Sequence, residues 1–333
     1  MKFFNFFTLF FLIMLMGCTQ DPSTNVIVKT SNGLSVANFT TSLSTLRVNE
    51  MSNIQLLLRN DGFFDARDIN SILYGEGLLV RDNEYNNSAL ILPDKQDILF
   101  WTLRVPLSLS RTESTSYTVS ARIYYNYNFS GNKQIGFVPS TYSGGDLPLS
   151  STTRQSPLSV LINVNNPIRT FNTVDFTTFT ITPVVSRVDD GSIDYFNCNV
   201  YGDSPCNKGG YINSVKLTVP IDWIEVTDLS VWTKSEDAVN SERTYSIYYD
   251  DLLVLYNDNS CRSLSNSTYC NKVNQAINYL RMIRGDEARL VLQFGKSEVS
   301  EVIIDNIKFE GDFGFKVDVS DFKNRLNLLV LGD

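Results

Sequence analysis

Between residues 117 and 127, apolar and polar positions alternate with period two. Tyr117, Val119, Ala121, Ile123, Tyr125 and Tyr127 fall on one face, and Thr118, Ser120, Arg122, Tyr124 and Asn126 on the other. Successive side chains of a strand point to opposite sides, so this is a half-buried antiparallel strand. Asn128-Phe-Ser-Gly131 then reads as a turn, with residues 133–138 returning. Shorter apolar pieces at 35–43, 54–58, 69–74, 78–80, 89–92 and 100–105 are separated by Gly, Asp, Asn and Pro, and predict further strands. Residues 140–156, rich in Ser, Thr, Gly and Pro, read as a long loop before a strand through Leu158, Val160, Ile162 and Val164. The second half repeats the style at 174–185, 211–219, 224–232, 243–256, 290–294, 313–319 and 326–331. Only 271–283 has helical spacing, through Val273, Ile277 and Leu280, and is open between a short helix and a loop followed by a strand.

Each half ends with an aromatic alternating strand, a loop and a short aliphatic strand, as at Tyr125-Asn-Tyr127 and Phe313-Gly-Phe315. Many short strands in two echoing sets predict an all-β chain of two tandem antiparallel β-sandwiches, over 34–166 and 170–333. The 21 Phe and 16 Tyr suit pleated sheets, and 43% apolar residues are enough for a packed core rather than a disordered chain.

Charge and missing residue types narrow the chemistry. With 28 Lys and Arg against 36 Asp and Glu, the net charge of −8 argues against nucleic acid as a partner. The absence of histidine removes Ser-His-Asp and Cys-His catalysis and the common zinc sites. No G-x-S-x-G elbow occurs either. Many carboxylates are present, but no pair is singled out for glycoside hydrolysis, so no catalytic residue is assigned.

The amino terminus reads as an address. Lys2 precedes an apolar run at 3–16 broken only by Asn5 and Thr8, which makes 1–17 a secretory signal peptide. The run is shorter than the roughly 20 residues of a spanning helix, which disfavours an uncleaved anchor. Leu15-Met16-Gly17-Cys18 resembles the lipobox of prokaryotic lipoproteins. That resemblance implies an acylated Cys18 as the new amino terminus, with the protein held at the cell surface on the outer face of the cytoplasmic membrane. Residues 18–33, polar after Cys18, then serve as a flexible tether.

Four further cysteines remain: Cys198, Cys206, Cys261 and Cys270. An even number in an exported chain favours two disulfides, and sequence proximity favours Cys198–Cys206 and Cys261–Cys270. A crossed pairing stays open. The spacings are too wide for a structural zinc knuckle.

Asn60-Asp61-Gly62, followed by Asp65-Ala66-Arg67-Asp68-Ile69, resembles a corner of CARDB-type and related immunoglobulin-like adhesion domains of prokaryotic, especially archaeal, surface proteins. The resemblance covers about residues 34–164 and implies that Gly62 makes the turn between two strands while Ala66 packs beneath it. It makes the expected sandwiches immunoglobulin-like. The second half matches this pattern less well.

Other constellations have plainer readings. Asp189-Asp190-Gly191-Ser192 reads as a hairpin turn rather than a calcium loop, and Asp250, Asp251 and Asp258 as a solvated acidic loop. Arg284-Gly285-Asp286 reads as a turn. Asn38, Asn86, Asn128 and Asn266 begin N-glycosylation sequons, with Asn128 expected at a hairpin tip. Tyr124, Tyr248 and Tyr249 are open to packing or to partner binding, and packing is the expectation for rings on apolar faces. The sequence therefore predicts a non-enzymatic, membrane-anchored surface lipoprotein without metal or cofactor. It would display sandwich domains for adhesion, protein interaction or envelope structure, with membrane lipid and an unidentified protein or glycan as partners. The alternatives are a solute- or glycan-binding lipoprotein and a carboxylate-based hydrolase.

Overall fold

The computed structural model describes residues 32–83, 85–107, 114–189, 191–194, 210–257, 261, 268–282, 287–319 and 325–331. The strands of the first half are β1 (Leu34–Thr41), β2 (Thr45–Leu46), β3 (Met51–Asn60), β4 (Ala66–Tyr74), β5 (Val80–Arg81), β6 (Tyr85–Ile91), β7 (Gln96–Arg104), β8 (Thr115–Pro139), β9 (Ser151–Thr153) and β10 (Leu158–Asn163). The second half adds β11 (Ile168–Thr170), β12 (Thr177–Arg187), β13 (Ser192–Ile193), β14 (Ile212–Pro220), β15 (Ile224–Glu225), β16 (Thr233–Asp237) and β17 (Glu242–Tyr248). Among the described residues the helices α1 (Tyr249–Asn257) and α2 (Thr268–Tyr279) follow, then β18 (Glu287–Arg289), β19 (Leu292–Lys296), β20 (Ile303–Asp318) and β21 (Leu326–Val330).

These form an all-β architecture of layered, mainly antiparallel sheets. A sheet in the order β1-β3-β7-β5 covers the first lobe, and one in the order β10-β12-β19-β15, with β18 beside β12, covers the second. Both lobes are built on one twelve-stranded sheet whose spine runs β16-β17-β14-β20-β8-β21-β2. At its centre β20 lies antiparallel to β8 from Ile303↔Phe137 to Asp318↔Arg122. Strands from both sides of residue 166 thus share sheets: β10 pairs with β12, and β8 with β20. The buried apolar residues of the two lobes form one continuous cluster.

The alternation at 117–127 does form a strand, with Val119, Ala121, Ile123, Tyr125 and Tyr127 buried. The turn expected at Asn128-Phe-Ser-Gly131 does not form, because β8 runs straight through it. Phe129 continues the buried row, and its partner across the ladder is Gly311, where a Cβ would collide with the Phe129 ring. A Cβ on Gly131 would press on Val160 of β10, at 2.8 and 2.9 Å from its side-chain atoms. Both glycines therefore make room inside a sheet, and long-range pairing overrides the local turn signal.

A second correction concerns 243–256. Its first part is β17, but Tyr249–Asn257 is helical. Asp250 and Asp251 lie in the first turn, where carboxylates complement the positive end of a helix, and Tyr249 and Leu252 are buried. The helical spacing after residue 271 resolves as α2, with Val273, Ala276 and Ile277 buried. Cys261 and Cys270 are joined by a disulfide with their Cα atoms 5.3 Å apart, which ties the start of α2 to the chain after α1.

Candidate functional site

Period-two geometry decides what the long sheet shows to solvent. On β20, Ile307, Phe309, Phe313, Phe315 and Val317 are buried, so Lys308, Glu310, Asp312, Lys316 and Asp318 project from the other face. The same division on β8 turns Arg122, Tyr124, Asn126 and Asn128 outward. The outer face is thus a band of polar side chains fixed on rigid strands.

Ion pairs and amide hydrogen bonds lace this band. Arg122 meets Asp318 at 3.1 Å and lies over the Tyr74 ring, 5.3 Å from its centre. Tyr74 donates its hydroxyl proton to the same carboxylate. Lys316 pairs with Asp194 at 2.7 Å, and the Asn126 amide donates to Asp68 at 2.8 Å. Arg67 donates to Asn128 Oδ1 at 2.7 Å. Asp312 accepts from Asn213 at 3.1 Å and from the Ser214 hydroxyl, while Glu310 pairs with Lys308 at 2.8 Å.

Across this band lies a shallow groove of about 350 Å³ lined by Arg67, Asn128, Lys216, Tyr248, Glu310 and Asp312, among others. Tyr248 is 39% exposed at one side. The lining combines both charge signs, an amide and an aromatic ring. Such a set can hydrogen-bond a polar chain lying across the strands and offer a ring for stacking. Its carboxylates, Glu310 and Asp312, sit two positions apart on one face of β20 and are already engaged as described.

The corner that carries the family resemblance is a structural knot. Asn60 is fully buried, and both hydrogens of its amide are donated, to the carbonyls of Phe64 at 2.7 Å and Ile91 at 2.9 Å. Its oxygen accepts from the Gly62 backbone N–H at 3.1 Å and from the Tyr127 hydroxyl at 3.0 Å. The Phe64 N–H in turn donates to that hydroxyl at 3.2 Å. Burial pushes the Tyr127 hydroxyl far above its ordinary range. A Cβ on Gly62 would strike the Tyr127 hydroxyl, and Ala66 is fully buried beside the turn. The motif thus bolts the end of β3 to β8, across the two layers of the first lobe.

A charged cluster reaches from the interior of the second lobe to its surface. Lys296, at the end of β19, is only 4% exposed, and its ammonium meets Asp305 of β20 at 2.9 Å and Asp222 from the turn after β14. The Trp223 indole N–H donates to the same Asp305 oxygen at 2.7 Å. The ammonium also lies 5.2 Å from the centre of the Phe137 ring. Phe137 and Phe179 meet edge to face at 5.2 Å, and Phe179 and Trp223 at 4.8 Å.

The remaining residues singled out from the sequence are scattered. Asn38 lies on β1, Asn86 on β6 and Asn128 within β8, so Asn128 is mid-strand rather than at a hairpin tip. The Asn86 amide donates to the Phe100 carbonyl. Asp189 is nearly buried and accepts from Asn32 at 2.8 Å, in the turn between β12 and β13 where Gly191 has φ of 144°. Tyr124 faces outward on β8, whereas Tyr249 is buried and stacked on Tyr211 with ring centres 4.4 Å apart. Residues 1–17, Cys18, Asp190, Cys198, Cys206, Asp258, Asn266 and 284–286 lie outside the described residues. Among the described residues, no group of three His, Cys, Asp or Glu side chains is placed to hold a metal ion, and no helix is long and apolar enough to cross a membrane.

The groove was not foreseeable from any one stretch of sequence. Its signal is present in the polar half of the alternation at 122–128 and 308–316, but it becomes a site only when β8, β20, β14 and β17 are placed side by side.

No protein-family model matches the chain, and no curated protein does. Among solved structures, similarity extends to the sporulation control protein Spo0M of Bacillus subtilis, at 9% identity and a TM-score of 0.18, covering 48% of this chain and 76% of that one. It extends also to a type II cohesin dyad from the adaptor ScaA scaffoldin of Acetivibrio cellulolyticus, at 6% identity and a TM-score of 0.21, covering 80% and 86%. A third is the collagen adhesin of S. aureus, at 7% identity and a TM-score of 0.14, covering 91% and 94%.

Proposed function

We propose that this chain is a non-enzymatic surface lipoprotein that presents the outer face of its long sheet to an extracellular partner. The observation that carries the reading is the groove across β4, β8, β20, β14 and β17. There Arg67, Asn128, Lys216, Tyr248, Glu310 and Asp312 offer polar and aromatic contacts on rigid strands. Recognition groups held on strands are fixed before a partner arrives, so little ordering entropy is lost on binding. The leader at 1–17 and Cys18 support attachment to the outer face of the membrane. More than one acyl chain gives stable anchoring, and residues 18–33 give reach. The corner at Asn60 supports an affinity with CARDB-type immunoglobulin-like domains.

Two measurements test this reading. Cross-linking and pull-down from intact membranes is expected to recover one envelope protein or glycan with the native chain. A Lys216→Glu, Tyr248→Ala variant of unchanged folding should lose it. Equal recovery by both would reject the groove as the binding face. Independently, a Cys18→Ser chain should leave the membrane fraction and carry no acyl mass. Retention would reject the lipid anchor.

A further inference from the structure

We propose that Lys296 and Asp305 are joined by an intramolecular amide bond, formed in the folded protein without any external reagent. An amide between side chains needs an amine and a carboxyl group held in contact, shielding from water, and a group to move protons between them. The second lobe assembles all three. Lys296 is 4% exposed, and its nitrogen lies 2.9 Å from Asp305 Oδ2. Phe137, Phe179, Trp223 and Phe294 pack as one aromatic cluster beside the pair, with Phe137 and Trp223 ring centres 5.8 Å apart. The Trp223 N–H, 2.7 Å from the Asp305 oxygen, is placed to stabilise negative charge as it develops on the carboxyl group. Asp222, its side chain 59% exposed at the solvent edge of the shielded pair, touches the same ammonium and is the proton carrier.

The step balances without an oxidant, reductant or cofactor. A proton passes from the Lys296 ammonium to the Asp305 carboxylate, leaving a neutral amine beside a neutral acid. The amine attacks Cγ of Asp305, forming the C–N bond and a tetrahedral intermediate. Asp222 removes a proton from nitrogen and returns it to the carboxyl hydroxyl, which departs as water. One ammonium and one carboxylate become one amide and one water, and Asp222 ends as it began. Fixed contact replaces a bimolecular encounter, the largest advantage that positioning alone can give. The apolar surroundings favour the uncharged product over the buried ion pair. The bond would staple β19 of the covering sheet to β20 of the long sheet, so its benefit is mechanical and local.

Peptide mass mapping of the reduced, full-length protein after tryptic digestion tests the bond directly. Cleavage after Lys296 is expected to fail, and the peptide spanning 290–308 should appear one water lighter than its sequence, with fragment ions placing the link between Lys296 and Asp305. Asp222→Ala should leave most of the protein unlinked, with Lys296 again cleavable. Normal cleavage after Lys296 in the folded wild-type protein overturns the proposal. So does a water loss with Lys296 still cleavable, which marks cyclisation at Asp305 alone. The wild-type map is decisive even if Asp222→Ala fails to fold. It is also independent of whether the groove binds a partner.

Discussion

At the scale of single residues, the chain uses polar side chains as fasteners inside the first lobe. A buried amide is tolerated only when its donors and acceptors are matched, and Asn60 matches all of them. Replacing it by Leu would leave the Gly62 N–H, the carbonyls of Phe64 and Ile91, and the Tyr127 hydroxyl without their partner. At ~1–3 kcal/mol for each buried group left unsatisfied, Asn60→Leu should cost at least ~4 kcal/mol, read from the denaturant midpoint. Tyr127→Phe keeps the ring packing and should cost about 1 kcal/mol. Equal effects of the two substitutions would mean that packing rather than the hydrogen bonds holds the corner. The sequence made this corner legible, because Asn-Asp-Gly and the nearby Ala are local features. Its tie to Tyr127 was not, since that partner lies 67 positions away.

At the scale of elements, the two corrections share one cause. Turn residues at 128–131 and strand-like composition at 249–256 are local preferences, and each yields to a neighbour the local sequence does not reveal. For β8 that neighbour is β20, with Asn128 opposite Asp312. For α1 it is the core beneath Tyr249 and Leu252. Facing residues in an antiparallel pair have Cα atoms about 4.5–5.5 Å apart, within disulfide reach. A chain carrying Asn128→Cys and Asp312→Cys should therefore form a new cross-strand disulfide, detectable as a linked peptide that reductant separates. A hairpin at 128–131 would break this register, and the engineered thiols would stay free. The same logic explains the groove: its residues alternate visibly along each strand, but only pairing of the strands brings them together.

At the scale of the whole molecule, the shared long sheet makes the lobes interdependent. The ladder between β8 and β20 links residues 122–137 to 303–318, and one apolar cluster runs through both lobes. Fragments 34–166 and 170–333, prepared separately, should each lack a cooperative unfolding transition and regain one when refolded together. Cooperative unfolding of either fragment alone would show that the lobes are self-sufficient. The same coupling governs the alkaline limit. Burial raises the hydroxyls of Tyr125 and Tyr127 in the first lobe, and those of Tyr245 and Tyr249 in the second, with Tyr249 pushed up to about 12. An unfolded tyrosine ionises near 10, so above that pH the unfolded chain sheds protons that the native chain keeps. Their contribution is complete below pH ~10 and is lost as pH climbs toward the higher native values. Stability should fall steeply from about pH 10 upward, and the last part of the tyrosinate absorbance, from these buried rings, should appear together with loss of sheet signal, because one core holds them. Two separated losses of sheet signal, or full tyrosinate absorbance with the sheets intact, would count against a common core.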